Sequence, residues 1–247
     1  MTRFKAAGIH LALSVLIVAV VLFLMLFVWY PQGFFKLLGG GELVFLIAGV
    51  DVCLGPLLTL AVFNPAKKSL KFDLAVIGIV QVCALLYGAN VMFQSRPVFN
   101  VLEEDIFKVT LASDFKDDVE LKKASKPEWQ RRSWLGPQLV AAVAPTDPKI
   151  KEEVTFAAMA GMDWNMFPKL YVTYDSQRKV ALQHAKPLAE LKSIHPDNAA
   201  IVERFLAGKS AQGYVYLPIV YGYTAMTAVL DANNADFIEI IEAQTSK

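Results

Sequence analysis

Three apolar stretches within the first 94 residues constrain this chain more than any other feature of its sequence. They run from about Gly8 to Val28, from about Leu43 to Phe63 and from about Leu74 to Phe93. Each reaches the roughly 20 residues that a helix needs to cross about 30 Å of hydrocarbon. The first ends in Trp29-Tyr30-Pro31, aromatics of the kind that sit at a membrane interface. It reads as an uncleaved span, because its apolar core is longer than a signal peptide's and no small-residue cleavage pattern follows.

Charge divides the chain in the same place. Residues 1–94 hold only six of the 24 basic residues (Arg3, Lys5, Lys36, Lys67, Lys68, Lys71) and three of the 23 acids (Glu42, Asp51, Asp73). The rest has the balance of an ordinary globular domain. Two parts are expected: a three-span transmembrane part over residues 1–96, and a water-soluble domain over 97–247. With 55% hydrophobic residues the chain is no disordered protein, and a net charge of +1 leaves no electrostatic footprint for nucleic acid.

Orientation follows from the basic residues in the short flanks. Arg3, Lys5, Lys67, Lys68 and Lys71 fall on one side, Lys36 alone on the other. The N-terminus and the "NPAKKSLKFD" loop are therefore expected in the cytoplasm. The domain after Arg96 is then expected across the inner membrane, which in a bacterium means the periplasm. Cys53 and Cys83 both lie within spans, where free thiols pack as small apolar groups, so the exported region has no possible disulfide.

Asp51 is the costly residue. A carboxylate near a span centre costs about 2.5–3.5 kcal/mol on insertion scales, so it must face protein or take up a proton. Around it, "AGVDVCLGPLL" supplies Gly49, Gly55 and Pro56. Gly49 and Cys53 form a small-xxx-small face that permits close helix approach, and Pro56 withholds a backbone donor. Gln81 in the third span lies at comparable depth. Two readings stand: a packing hydrogen bond among the spans, or a contact for another membrane helix. One acid and one amide are too few for a proton or ion relay.

The rear part mixes strands and helices irregularly, which is the α+β class. "PVFNVLEEDIFKVTL", "GPQLVAAVAP", "PKLYVTY", "GYVYLPIV" and a closing hairpin around Asp231–Ala235 read as strands. "KPEWQRRSW" and "KPLAELKSI" read as short helices. "TDPKIKEEVTFAAMAG" and "HPDNAAIVERFLAG" read as capped helices. Tyr214 and Tyr216 alternate onto one face of a strand, which suits either the core or a partner surface.

Catalytic constellations are largely absent, so no catalytic residue, cofactor or metal is expected. His10, His184 and His195 lack zinc-ligand spacing, and no P-loop, dinucleotide fingerprint or nucleophile elbow occurs. "LGGGE" reads as a turn between spans. Glu103-Glu104 and Asp117-Asp118 read as solvated faces, and Ser125 beside Lys122 or Lys126 as a chance pairing.

Several strings together resemble the type IV pilin accessory proteins of the TfpX/TfpZ (FimB-like) family. They are "FKAAGIHLALS", "WYP", "AGVDVCLGPLLTLAVFNPAKKSLKFDLAVIGIVQVCALLYG", "RPVFNV", "GPQLVAAVAPTD", "AGMDWNMFPKLYVTY", "KPLAEL" and "YLPIV". The likeness covers nearly the whole chain and is most specific in the membrane block. Near the C-terminus Tyr221-Gly222-Tyr223 and Asn233-Asn234-Ala235 depart from the family's Gly-Arg-type turn and Thr-Gly hairpin. The resemblance implies a non-enzymatic inner-membrane protein that works with a type IV major pilin, and through it with the pilus assembly machinery. A periplasmic sensor or scaffold is a rival reading, although seven and ten cytoplasmic residues are too few for an output module. A membrane-anchored periplasmic hydrolase is a third.

Overall fold

A threonine starts the first helix. Thr2 Oγ1 accepts the Lys5 N–H at 3.3 Å, α1 spans Arg3–Leu24, and a wider π-type turn continues it over Met25–Trp29. In this computed structural model, which describes residues 2–245, the chain divides into two units. One comprises Met1–Val28 and Gly39–Gln94, the other Trp29–Leu38 and Ser95–Lys247. A short helix, α2 (Phe34–Leu37), belongs to the second unit.

Among the described residues, two helices are long and apolar enough to cross a membrane: Arg3–Trp29, with mean hydropathy 3.3, and Leu70–Gln94 (α5), with 2.0. The middle apolar stretch does not form the third long α-helix that its composition suggests. It is helical throughout but in three pieces: α3 (Gly40–Ala48), a π-type segment (Gly49–Leu54) and α4 (Gly55–Val62). Pro56 is the physical reason. It has no N–H for the carbonyl one turn earlier and its ring crowds that turn, so the helix widens just ahead of it. The helix begins at Gly40, inside the "LGGGE" segment expected to be a turn. α1 and α5 both pack against the middle stretch. Cys53 and Cys83 face outward from the first unit and do not pack inside it.

The second unit is α+β. Its strands are β1 (Pro97–Glu103), β2 (Ile106–Leu111), β3 (Gln138–Ala142), β4 (Tyr171–Thr173), β5 (Lys186–Pro187), β6 (Tyr214–Tyr221), β7 (Thr224–Asp231) and β8 (Phe237–Ile241). They form one mixed sheet in the order β4-β3-β1-β2-β6-β7-β8, with β5 beside β6. The hairpins β1–β2, β6–β7 and β7–β8 are antiparallel, whereas β1–β3 and β2–β6 run parallel. β1 is buried along its whole length, as the near-continuous apolar run "PVFNVLE" requires of a central strand.

Three helices complete the domain: α6 (Pro148–Met159), α7 (Tyr174–His184) and α8 (Asn198–Leu206). α6 begins as its sequence dictates, with Asp147 Oδ1 accepting the Lys149 N–H at 2.8 Å and Pro148 in the first turn. α7 occupies "YDSQRKVALQH", where the sequence suggested no helix. The two short helices expected at "KPEWQRRSW" and "KPLAELKSI" are 3₁₀ segments, Pro127–Gln130 and Leu188–Ser193. One core cluster joins Phe99, Val101 and Val140 to Leu121, Trp129 and Val154. A second joins Leu188, Leu191 and Val202 to Tyr216, Val229 and Ile241.

Residues 29–38 fold against the sheet as a strap on its β8 edge. The Ile240 N–H donates to the Gln32 carbonyl at 2.9 Å. Phe34 stacks on Phe237 at 6.1 Å, and Phe237 meets Phe107 edge-on at 5.4 Å. Tyr30, Phe34 and Leu37 are buried. Gly33 has φ +90°, and a Cβ there would overlap the Ile240 carbonyl, so only glycine fits. An expected boundary at residue 96 therefore misses this segment.

Glu103, expected on a solvated face, is a buried anchor. Its carboxylate accepts the Asn165 N–H at 2.6 Å and pairs with Lys108 Nζ at 2.9 Å, which also reaches Asp163 at 2.7 Å. Asn165 donates to Thr110 at 3.1 Å, and its carbonyl accepts the Tyr171 hydroxyl. This network pins the "MDWNM" loop to β1 and β2. Burial raises the Glu103 carboxyl above its ordinary range, although hydrogen bonds from Lys108 and Asn165 lower it. Lys108 is held high despite its burial by hydrogen bonds to Asp163 and Glu103.

Gly33→Ala should loosen the strap by about 1–2 kcal/mol through its positive φ alone. Trypsin cleavage after Lys36 in the intact protein should then quicken about tenfold, since 1.4 kcal/mol is a factor of ten. Lys108→Met should cost about 3 kcal/mol at neutral pH, because it leaves a buried carboxylate without its counter-charge. The folded state binds the Glu103 proton more tightly than the unfolded chain. Its contribution to stability therefore falls as pH rises from the ordinary glutamate value through the raised one. Denaturant unfolding across that range should show a larger deficit for Lys108→Met at neutral than at acid pH.

Candidate partner-binding site

Within the membrane-type unit, the residues singled out by cost and spacing largely converge. Asp51 sits in the π-type segment and is buried. The Gln81 amide of α5 donates to its backbone carbonyl at 3.3 Å and approaches its carboxylate at 3.5 Å. Gly55 is the reason the two helices can meet: a Cβ there would overlap the Gln81 amide. Pro56 and Gly55 are both buried. Gly49 has a different position, since a Cβ on it would meet no described atom within 4 Å. The close-approach role expected of Gly49 falls to Gly55.

Two residues that sequence reasoning did not bring to this site complete it. His10 Nδ1 lies 2.6 Å from Thr59 Oγ1, joining α1 to α4. Ser14, one turn after His10, is buried and lines the same space. Together His10, Ser14, Asp51 and Gln81 line a cavity of about 190 Å³ whose remaining wall is apolar, from Leu13, Ile17, Gly78 and Leu85. The four-residue spacing of His10 and Ser14, polar positions in the apolar run of α1 that follows Lys5, was the available signal. Gln81 Oε1 is buried without a hydrogen-bond partner among the described residues. The cavity thus holds spare acceptor capacity within a mostly apolar wall.

In the sheet domain, Tyr214 and Tyr216 belong to the second core cluster. Tyr216 is 2% exposed, and Tyr214 lies edge-on to Phe205 at 5.3 Å. The face that they share is turned into the core, which corrects the partner-surface reading. An open depression of the domain lies elsewhere, a cavity of about 360 Å³ bordered by Lys108, Asp114, Met162, Asp163, Tyr221 and Gly222. Tyr223, at the β6–β7 turn beside it, is fully exposed. Here the Tyr221-Gly222 turn segment meets the loop pinned by Glu103. Among the described residues no group of three or more His, Cys, Asp and Glu is arranged to hold a metal ion.

Gly55→Ala should drive the Gln81 amide aside and lower stability by about 1–3 kcal/mol, the usual cost of overpacking. Adding Gln81→Ala should recover most of that loss. Thermal unfolding of the detergent-solubilised single and double variants measures the coupling.

The profile of the family described as "Fimbrial assembly protein FimB" matches residues 1–39. The serogroup I fimbrial assembly protein of Dichelobacter nodosus is 37% identical over 188 residues, covering 75% of this chain and 72% of that protein. The serogroup E1 protein of the same organism is 36% identical over the same shares of both chains. Its serogroup C1 and C2 protein is 40% identical over 112 residues, 44% of this chain and 86% of the relative. No solved structure matches. With a third or more of its residues identical across most of both chains, and helices of membrane-spanning length and polarity, the chain belongs to the fimbrial assembly protein family.

Proposed function

We propose that this protein is a non-enzymatic accessory factor of the bacterial inner membrane that assists a cognate type IV major pilin. The membrane-type unit takes the pilin's apolar helix at the face around Asp51, Gly55 and Gln81. The sheet domain meets the pilin head in the periplasm, at the depression bordered by Tyr221 and Met162. Two linked contacts raise effective concentration, so each can stay weak enough for release. Family membership supports the pilus role, and the buried Gln81 oxygen at the mostly apolar cavity, without a hydrogen-bond partner among the described residues, supports the membrane contact.

One observation carries the topology: the strap, residues 29–38, folds into the same unit as residues 95–247. Both segments must then lie on one side of the bilayer. If α1 and α5 each cross it, the stretch Gly40–Val62 has to cross as well, for the chain to leave the strap and return. Its 23 helical residues, even in three pieces, are enough for about 30 Å. The five-to-one basic bias then directs the N-terminus to the cytoplasm and the domain to the periplasm.

Alkaline phosphatase fused after residue 245 should be active in cells, and the same reporter placed at Ala66 should be inactive. Reversal of that pattern inverts the topology and removes a periplasmic encounter with pilin. A photo-crosslinker at Leu85, on the cavity wall and clear of the crowded Gly55, should trap the pilin in cells. Trapping only from the sheet domain would discard the membrane contact.

A further inference from the structure

We infer that the loop Arg131–Gly136 is a membrane-surface anchor whose Trp134 and Leu135 enter the lipid headgroup region beside the exit of α5; this rests on the reading of α5 as a membrane span. Trp134 is 69% exposed and Leu135 81% exposed, adjacent large apolar side chains at the tip of a loop with no regular structure. Left in water, such a pair forfeits about 1.5–3 kcal/mol for a fully buried side chain of this kind. The loop is held in one place. Arg96 Nε donates to the Ser133 carbonyl at 2.8 Å, and the Arg96 guanidinium lies 5.9 Å from the Trp134 ring. Arg132 ties the other side of the loop to the Phe115 carbonyl at 2.8 Å and to Asp118 at 3.2 Å. Gly136, with φ +88°, turns the chain back into β3.

The position of Arg96 identifies the partner. It follows the last residue of α5, Gln94, by two residues, so their Cα atoms are at most about 7 Å apart. The headgroup layer on each side of the hydrocarbon is also about 7 Å thick. A Trp-Leu pair clamped to that arginine therefore stands where the apolar helix leaves the bilayer. Tryptophan is the residue type enriched at this depth, and the exposed Arg131 beside it suits lipid phosphate. The chain also passes between the two units at residues 28–29 and 38–39, so the domain is tethered three times.

The test uses the full-length protein in vesicles made either with lipid brominated high on the acyl chain, near the headgroup, or with lipid brominated near the chain end. Tryptophan emission of the protein is compared with that of Trp134→Phe and of Trp29→Phe, each difference isolating one residue. Trp29, at the exit of α1, reports on the spans. The expected result is loss of the Trp134 emission with shallow bromines and a smaller loss with deep ones. Quenching of Trp29 with no quenching of Trp134 overturns the anchor and leaves the spans standing. Quenching of neither overturns the spanning helices and the anchor with them. Leu135→Asp, which removes no structural contact, should reduce quenching of Trp134 while the far-ultraviolet circular dichroism stays unchanged; full quenching in that variant would also count against the anchor.

Discussion

The docking of residues 29–38 on the β8 edge is the interaction from which the arrangement of this protein follows. The backbone hydrogen bond from Ile240 to Gln32 aligns the segment. Burial of Tyr30, Phe34 and Leu37 holds it, and Gly33 alone permits the approach. The ion pair between Lys36 and Glu242 at 3.3 Å is exposed and adds little. The strap also covers part of an edge strand that would otherwise present open backbone groups. It joins two apolar helices covalently, so both leave the strap as part of one continuous chain.

The membrane-type unit illustrates a different economy. Asp51 and Gln81 are expensive in hydrocarbon, and the bundle meets that cost by placing them against each other across a glycine. The widened turn ahead of Pro56 places Asp51 at the π-type segment, a geometry often found at functional positions. What remains is a small, mostly apolar cavity on whose wall four polar side chains meet, His10, Ser14, Asp51 and Gln81.

Much of this was legible in the chain. Asp51, Gly55, Pro56 and Gln81 stood out because each is anomalous in its neighbourhood, and the structure sets Gln81 against both Asp51 and Gly55. Most strands and both capped helices followed from local pattern, down to Asp147 and Pro148 at the start of α6. α7 was missed because its sequence is mostly polar and its first residues continue a strand pattern; Asp175 near its start and His184 at its end were the signals. Glu103 was misjudged because a buried carboxylate cannot be told from an exposed one without its partners. Lys108 is five residues away, but Asn165 is sixty-two. Tyr216 pointed to a face correctly, but which side of the sheet is covered depends on α8 and the Leu188–Ser193 segment.

The sequence by itself determined the partition into a membrane-type part and an α+β domain, the α+β class, and the polar residues at odds with their surroundings. These are additive properties of neighbouring side chains, and hydrophobicity summed over a window needs no knowledge of distant contacts. Only the tertiary structure decided that the strap belongs to the sheet domain, that β1 and β2 run parallel to β3 and β6, and that Gly55 rather than Gly49 admits the Gln81 amide. Each of those depends on pairing across tens to hundreds of residues, where closing the chain costs entropy that only a specific fit repays.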